Sequence, residues 1–264
     1  MLAFSLFQTF ISCWGTVSHN EIGIHSFRIL SSDKITASSF YQGQNAQFHH
    51  IISKGFVDPD WEEKKMGTHY YIWPGPVENH GQYFKNAFFS FSRESARTRL
   101  ENHYSQAISD YCAGLKEGAF LHLGRACHYL QDIACPPHAG GIQYTIIGPN
   151  DHAMYESFID SIVSQEEFHS QTAVEHYGEL DDDHLGYTLN EISKRSAQYV
   201  NFVKSRNETK YLMTIDMIGM SDEYTAVLLE KFARDVQECE KMDNQTVPIT
   251  RHIRNIPVAT KSSL

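Results

Sequence analysis

The chain has 264 residues, 41% of them hydrophobic and 12% aromatic, with a formal net charge of −10 and a sequence pI of about 5.8. That is enough apolar material for one large domain with a core. The acidic balance excludes extended electrostatic binding of a polynucleotide, which needs faces rich in Lys and Arg, so no stable nucleic-acid partner is expected; bound metals could still lend a nuclease local positive charge.

Residues 1–13, MLAFSLFQTFISC, are apolar, uncharged and too short to span a bilayer as a helix. They predict the hydrophobic region of a secretory signal, without a basic leader and with Ile11 where a small residue is preferred; a buried N-terminal helix is the alternative. No other segment reads as transmembrane. Cleavage after Cys13 leaves Cys112, Cys127, Cys135 and Cys239, an even set that permits two disulfides in three pairings. No C-x-x-C pair offers a thiolate zinc site. Sequons at Asn207 and Asn244 suit a secreted chain, extracellular or in a lysosomal or vacuolar lumen.

Ser18-His19-Asn20-Glu21 has the form of a capping box and predicts a helix from His19 through Ile22, Phe27 and Leu30. A second helix covers roughly 36–54 and stops near Gly55. Residues 56–82, broken by Pro59, Gly67, Pro74, Gly75 and Pro76, predict a long structured loop, and such loops usually carry function. Helices follow over 82–114 and 117–134, the latter ending before Pro136-Pro137. A loop covers 139–149, and further helices cover about 151–165, 186–205 and 213–241. The polar stretch 166–185 carries Asp181-Asp182-Asp183, a solvated loop with no EF-hand spacing after it. With no repeat, linker or strand pattern, the expectation is one all-α, multi-helix domain over 14–245, a tail over 246–264, and a monomer.

His is frequent, at fifteen residues, and some of it falls at ligand spacing. His128 and Asp132 stand at i and i+4 on one helix face, and Pro136-Pro137 stiffens the turn that presents His138. Further on, His152 and Glu156 form a second i, i+4 pair. One such pair is usually a surface ion pair. The combination H-x3-D-x5-H-x13-H-x3-E is far more specific, and imidazole with carboxylate suits Zn²⁺. Upstream stand His19, Asp58 and Asp60, and His69 in the Gly/Pro-rich loop; each taken alone is an ordinary polar residue.

This order of residues, with Trp14 at its head, resembles the bacterial zinc-dependent phospholipase C family, which includes the catalytic domain of alpha-toxin-type enzymes. The likeness runs from Trp14 to about residue 165 and includes Ser18-His19-x-x-Ile22, His128-Tyr129-Leu130-x-Asp132 and His152-x-x-Tyr155-Glu156-x-Phe158. It implies a trinuclear zinc site. His69, His128 and Asp132 would hold one zinc, with Asp60 as a further ligand or as the base. Trp14, through its α-amine and carbonyl, would hold a second with His19 and a bridging Asp132. His138, His152 and Glu156 would hold the third. His25 competes with His19, and the S-H-x-x-I text favours His19. The free amine exists only after cleavage ahead of Trp14. In some members an acidic residue and two aromatics contact choline; here the first position is Val17, Trp61 is kept, and Met66 stands in place of the other aromatic. Trp61 and Met66 are thus the expected substrate contacts, Trp61 by cation–π attraction. The toxins' calcium-dependent membrane-binding domain is not matched by any part of this chain.

The Trp14-Gly15-x-x-Ser18-His19 start also resembles fungal-type single-strand nucleases, which close the site with H-x3-D after a longer insertion. The glycosylphosphatidylinositol-specific phospholipase D start is matched by Gly15, Ser18, His19, Glu21, Ile22 and Gly23, but lacks the leading Trp. The function expected is hydrolysis of a phospholipid at a membrane surface to diacylglycerol, with a zinc pair supplying an acidic water and Asp60 its base. A single-strand nuclease/3'-nucleotidase is the alternative. A zinc-stabilised secreted binding protein is a third, disfavoured because nine donors for three metals leave room for water.

Overall fold

The computed structural model describes residues 15–44, 46–63, 66–71, 94–142, 150–165, 167, 169–203 and 208–245, and these are all helix, turn or irregular chain. Trp14, the signal segment and the tail lie outside the described residues. The helices are α1 (Thr16–Ser32), α2 (Thr36–Gln42), α3 (Ala46–Val57), α4 (Pro59–Glu62), a 3₁₀ turn (Met66–His69), α5 (Ala96–Cys112), α6 (Lys116–Ile133), α7 (Pro136–Ala139), α8 (Asp151–Asp160), α9 (Leu185–Gln198), α10 (Val200–Val203) and α11 (Glu208–Gln245).

The first helix begins earlier than its text predicts. Gly15 is its N-cap and no side chain of its own caps it. Ser18 therefore lies inside the first turn. Its amide donates to Asp160 Oδ1 at 3.0 Å, and its hydroxyl donates to the same oxygen. A carboxylate from α8 thus does the work assigned to the capping box, and a negative charge at a helix N-terminus is favourable. The expected second helix is two, α2 and α3, and α3 runs through Gly55 to Val57. Helix α5 starts at Ala96, where Ser95 and Thr98 form a reciprocal capping box; residues 82–93 lie outside the described residues.

Helix α6 is the axis of the fold. From Cys127 to Ile133 every residue is buried. It packs against α3, α5 and α11. Gly55 and Gly124 make the α3–α6 crossing: a Cβ at Gly124 would fall 2.3 Å from the Ile52 carbonyl oxygen, and one at Gly55 2.5 Å from that of Leu121. The core beside this crossing is aromatic. Phe120 lies within ring contact of Phe40, Phe48, Tyr111 and Phe232. Burying each such side chain contributes about 1.5–3 kcal/mol.

Cys112 and Cys239 form a disulfide that ties α5 to α11 across a sequence separation of 127. The other half of a two-bridge pairing among the four expected cysteines does not form. Cys127 is free and fully buried, packed as a small apolar residue. Cys135 is also disulfide-bonded. The acidic run is partly engaged: Asp181 pairs with Arg234, and Asp182, 91% exposed in its side chain, lies 3.2 Å from Lys231 Nζ. Among the described residues no helix is long and apolar enough to cross a membrane.

Candidate metal centre

Four of the expected imidazole donors meet around Asp132, on the last turn of α6. Its Oδ2 lies 2.8 Å from His69 Nδ1 and 3.3 Å from His128 Nε2. Its Oδ1 lies 3.4 Å from His138 Nδ1 and 3.8 Å from His19 Nε2. One buried carboxylate therefore shows one oxygen to each of two imidazole pairs. Asp60 adds a second carboxylate, with Oδ1 3.6 Å from His128 Nε2 and 4.0 Å from His69 Nδ1. His152 and Glu156 stand beside this group on α8, 2.8 Å apart, with the His152 ring centroid 4.9 Å from that of His138.

The scaffold aims each ring. The glycine crossing brings the end of α3 onto α6, and His128 Nδ1 lies 2.8 Å from the Phe56 carbonyl oxygen, which leaves Nε2 facing the cluster. His152 Nδ1 is held the same way, 2.8 Å from the Ile142 carbonyl oxygen. Pro136 and Pro137 begin α7 and fix the turn that carries His138, as their rigidity predicts. Tyr70 braces the far side. Its ring stacks on His138 at 4.3 Å, and its hydroxyl donates to the Ile142 oxygen at 3.1 Å. His25 is not part of the group: it stacks on His169 at 3.8 Å. His19 occupies the position for which the two competed.

The electrostatics favour a cation. Burial outweighs all else at His19, with the neighbouring His128 charge adding to it, and holds its pKa well below the ordinary value. Burial also lowers His138, and lowers His152 to about 3. These rings are neutral at pH 7, with lone pairs available. Burial pulls His128 down too, but Asp132 and Asp60 overcome it and lift the ring to about 9. Burial pushes Asp132 up, yet His128, His138 and His69 hold it ionised, well below the usual carboxylate range. Three buried atoms of the cluster, His19 Nε2, Asp132 Oδ1 and His138 Nδ1, make no hydrogen bond. Leaving each such atom unsatisfied costs about 1–3 kcal/mol, and bound cations would relieve that cost. Two overlapping sets have ligand atoms close enough for one ion, His19 with His128 and Asp132, and Asp60 with His69 and His128. The donor set, imidazole with carboxylate and no thiolate, suits zinc.

Of the remaining expected residues, Trp61 is 38% exposed beside Asp60 on α4, placed to meet something from solvent. Met66 opens the 3₁₀ turn that ends at His69, but its side chain lies outside the described residues, as does all of Trp14. Two participants have no ligand spacing to announce them. Tyr70 is marked only by following His69. Gln131, 2.6 Å from His19 Nδ1 through its Oε1, is marked only by preceding Asp132.

The family described as zinc dependent phospholipase C matches residues 18–215. A phospholipase C of Listeria monocytogenes serovar 1/2a is 22% identical over an alignment of 207 residues that covers 74% of this chain and 68% of that protein. Among solved structures, an alpha toxin from Clostridium absonum superposes with a TM-score of 0.63 at 17% identity, over 83% of this chain and 64% of the toxin. A Clostridium perfringens alpha-toxin from an avian strain gives 0.57 at 18% identity, over 86% of this chain and 65% of the toxin. The chain thus spans just under two thirds of the toxins' length, and at these identities the superposition speaks for the all-α fold.

Proposed function

The chain belongs to the zinc-dependent phospholipase C family, and from that premise we propose that it hydrolyses a phospholipid at a membrane surface to diacylglycerol and a phosphorylated head group. The observation that carries the reading is Asp132, buried and ionised, with its two oxygens divided between His69/His128 and His19/His138. A carboxylate so placed would offer one oxygen to each of two metal ions, and His138 with His152 and Glu156 would offer a third position beside it. The site would hold three zincs, with Trp14 completing the second through its amine once the signal segment is removed. The protein would then be secreted.

Zinc bound there supplies positive charge that neutralises the phosphodiester and makes a water acidic enough to attack near pH 7. The chain's own groups do the rest. Asp60, buried and within 4.0 Å of both His69 and His128, is placed to orient the attacking water and take its proton. As the water oxygen bonds to phosphorus, the phosphorus–oxygen bond to glycerol breaks, and the proton returns to the departing alkoxide. Phe56, Ile142 and Tyr70 hold His128, His152 and His138 in place, so little reorganisation accompanies the reaction. Trp61 would face a cationic head group through its ring.

Purified protein with zinc is to be offered phosphatidylcholine vesicles, phosphatidylinositol vesicles and single-stranded DNA side by side. Diacylglycerol from a phospholipid, well above any nucleotide release, is expected. The Trp14-Gly15-x-x-Ser18-His19 start favours a nuclease, and nucleotides released with the lipid untouched would establish that reading instead.

A further inference from the structure

Three imidazoles of the cluster have the nitrogen that faces away from it set against an oxygen acceptor. For His128 and His152 the acceptor is a backbone carbonyl, and for His19 it is the side chain of Gln131. We infer that Gln131 is a positioning residue of the metal site, one that sets the tautomer of His19 so that its Nε2 lone pair is free to bind zinc. The inference rests on the zinc reading above.

Gln131 and His19 are both fully buried, and Oε1 lies 2.6 Å from Nδ1. An amide oxygen only accepts, so the ring must carry its proton at Nδ1. Nε2 is then a bare lone pair, 3.8 Å from Asp132 Oδ1 and without a hydrogen bond. Two acceptors that face each other repel, and a cation between the lone pair and the carboxylate oxygen would remove that repulsion. The other end of the amide is tied as well: its Nε2 donates to the Thr225 hydroxyl on α11 at 3.4 Å. The hydroxyl both donates and accepts, so this tie anchors the position of the amide, and the tautomer of His19 reports its orientation. A flipped amide would offer a donor to Nδ1, move the ring proton to Nε2, and turn His19 into a hydrogen-bond donor to Asp132. The His19 ring is also stacked on His128 at 3.9 Å, so it cannot swing aside to find another partner. A neutral acceptor at this point leaves His19 less basic than a carboxylate would, which tempers how tightly it holds its metal.

The test measures zinc affinity by competition with a chelator for wild type, Gln131→Met and Gln131→Glu, together with the ¹⁵N tautomer of His19 in zinc-free wild type. Met matches the volume and removes the acceptor, so one zinc should weaken by about 10–100-fold while the others hold. Gln131→Glu keeps an acceptor and should retain the zinc. The wild-type ring should be the Nδ1–H form. A folded Gln131→Met with wild-type affinity for every zinc would overturn the inference, and so would an Nε2–H ring in wild type. If Gln131→Met does not fold, Thr225→Val serves: freeing the amide should weaken the same zinc, and an unchanged affinity counts against the proposal. His19→Ala separates the two levels. If it leaves zinc content untouched, the zinc reading itself fails rather than the role of Gln131.

Discussion

Gly124→Ala tests whether the α3–α6 crossing builds the site. The new methyl would lie 2.3 Å from the Ile52 carbonyl oxygen and 2.8 Å from the Gly55 Cα, both backbone atoms that cannot rotate away. A relaxed carbon–oxygen contact is about 3.3–3.6 Å, so α3 must retreat by about 1 Å. Overpacking of this kind costs about 1–3 kcal/mol, which for a chain this size lowers the melting temperature by roughly 2–12 °C. The same retreat carries Phe56 away from His128 and shifts Asp60, which α4 holds 3.6 Å from that ring. A displacement of 1 Å in a positioned group can cost about 100-fold in turnover. The control is Gly219→Ala on α11, where the nearest atom to a new Cβ is Ser170 Cβ at 3.9 Å. There the helix propensity gain of up to about 1 kcal/mol should appear alone. Thermal melts and phospholipid turnover of the two variants decide the matter. Gly124→Ala melting at or above wild type with full turnover would refute the reasoning.

Removing the Cys112–Cys239 bridge by Cys112→Ser should cost up to about 5 kcal/mol in urea melts, because it releases a loop of 127 residues in the unfolded chain; a loss under about 1 kcal/mol would show that the bridge constrains little. Burial lifts the Asp222 carboxyl to about 7, against the opposing pull of His169. The folded state then binds this proton more tightly than the unfolded chain, so the associated stability is complete below about pH 4 and fades as pH rises through 7. Zinc-stripped Asp222→Asn should therefore gain on wild type between pH 5 and pH 8, and parallel pH profiles would contradict the assignment. If the secreted chain begins at Trp14, mass analysis of the purified protein should find that N-terminus. A blocked or longer N-terminus would remove Trp14 from the site.

The candidate donors could be picked out in the sequence because their geometry is local. His128 with Asp132 and His152 with Glu156 share a face by helical period alone, and Pro136-Pro137 announces its own turn. What the text does not show is anything settled by a distant partner. Ser18 reads as a cap, but its acceptor is Asp160, 142 residues away. Gly55 reads as a stop, yet it is a crossing point whose reason is Gly124 on another helix. Cys127 counts toward an even set and turns out to be core. Gln131 is silent for the same cause, since its meaning depends on His19 lying 112 residues earlier.

The most direct test is to strip the metal and add zinc back in measured steps, following diacylglycerol release from phosphatidylcholine at each step. The account predicts no turnover in stripped protein, a rise that saturates near three zinc equivalents, and an Asp132→Asn variant that binds at least two fewer and does not recover. Full turnover without metal, or at a single equivalent, would contradict it.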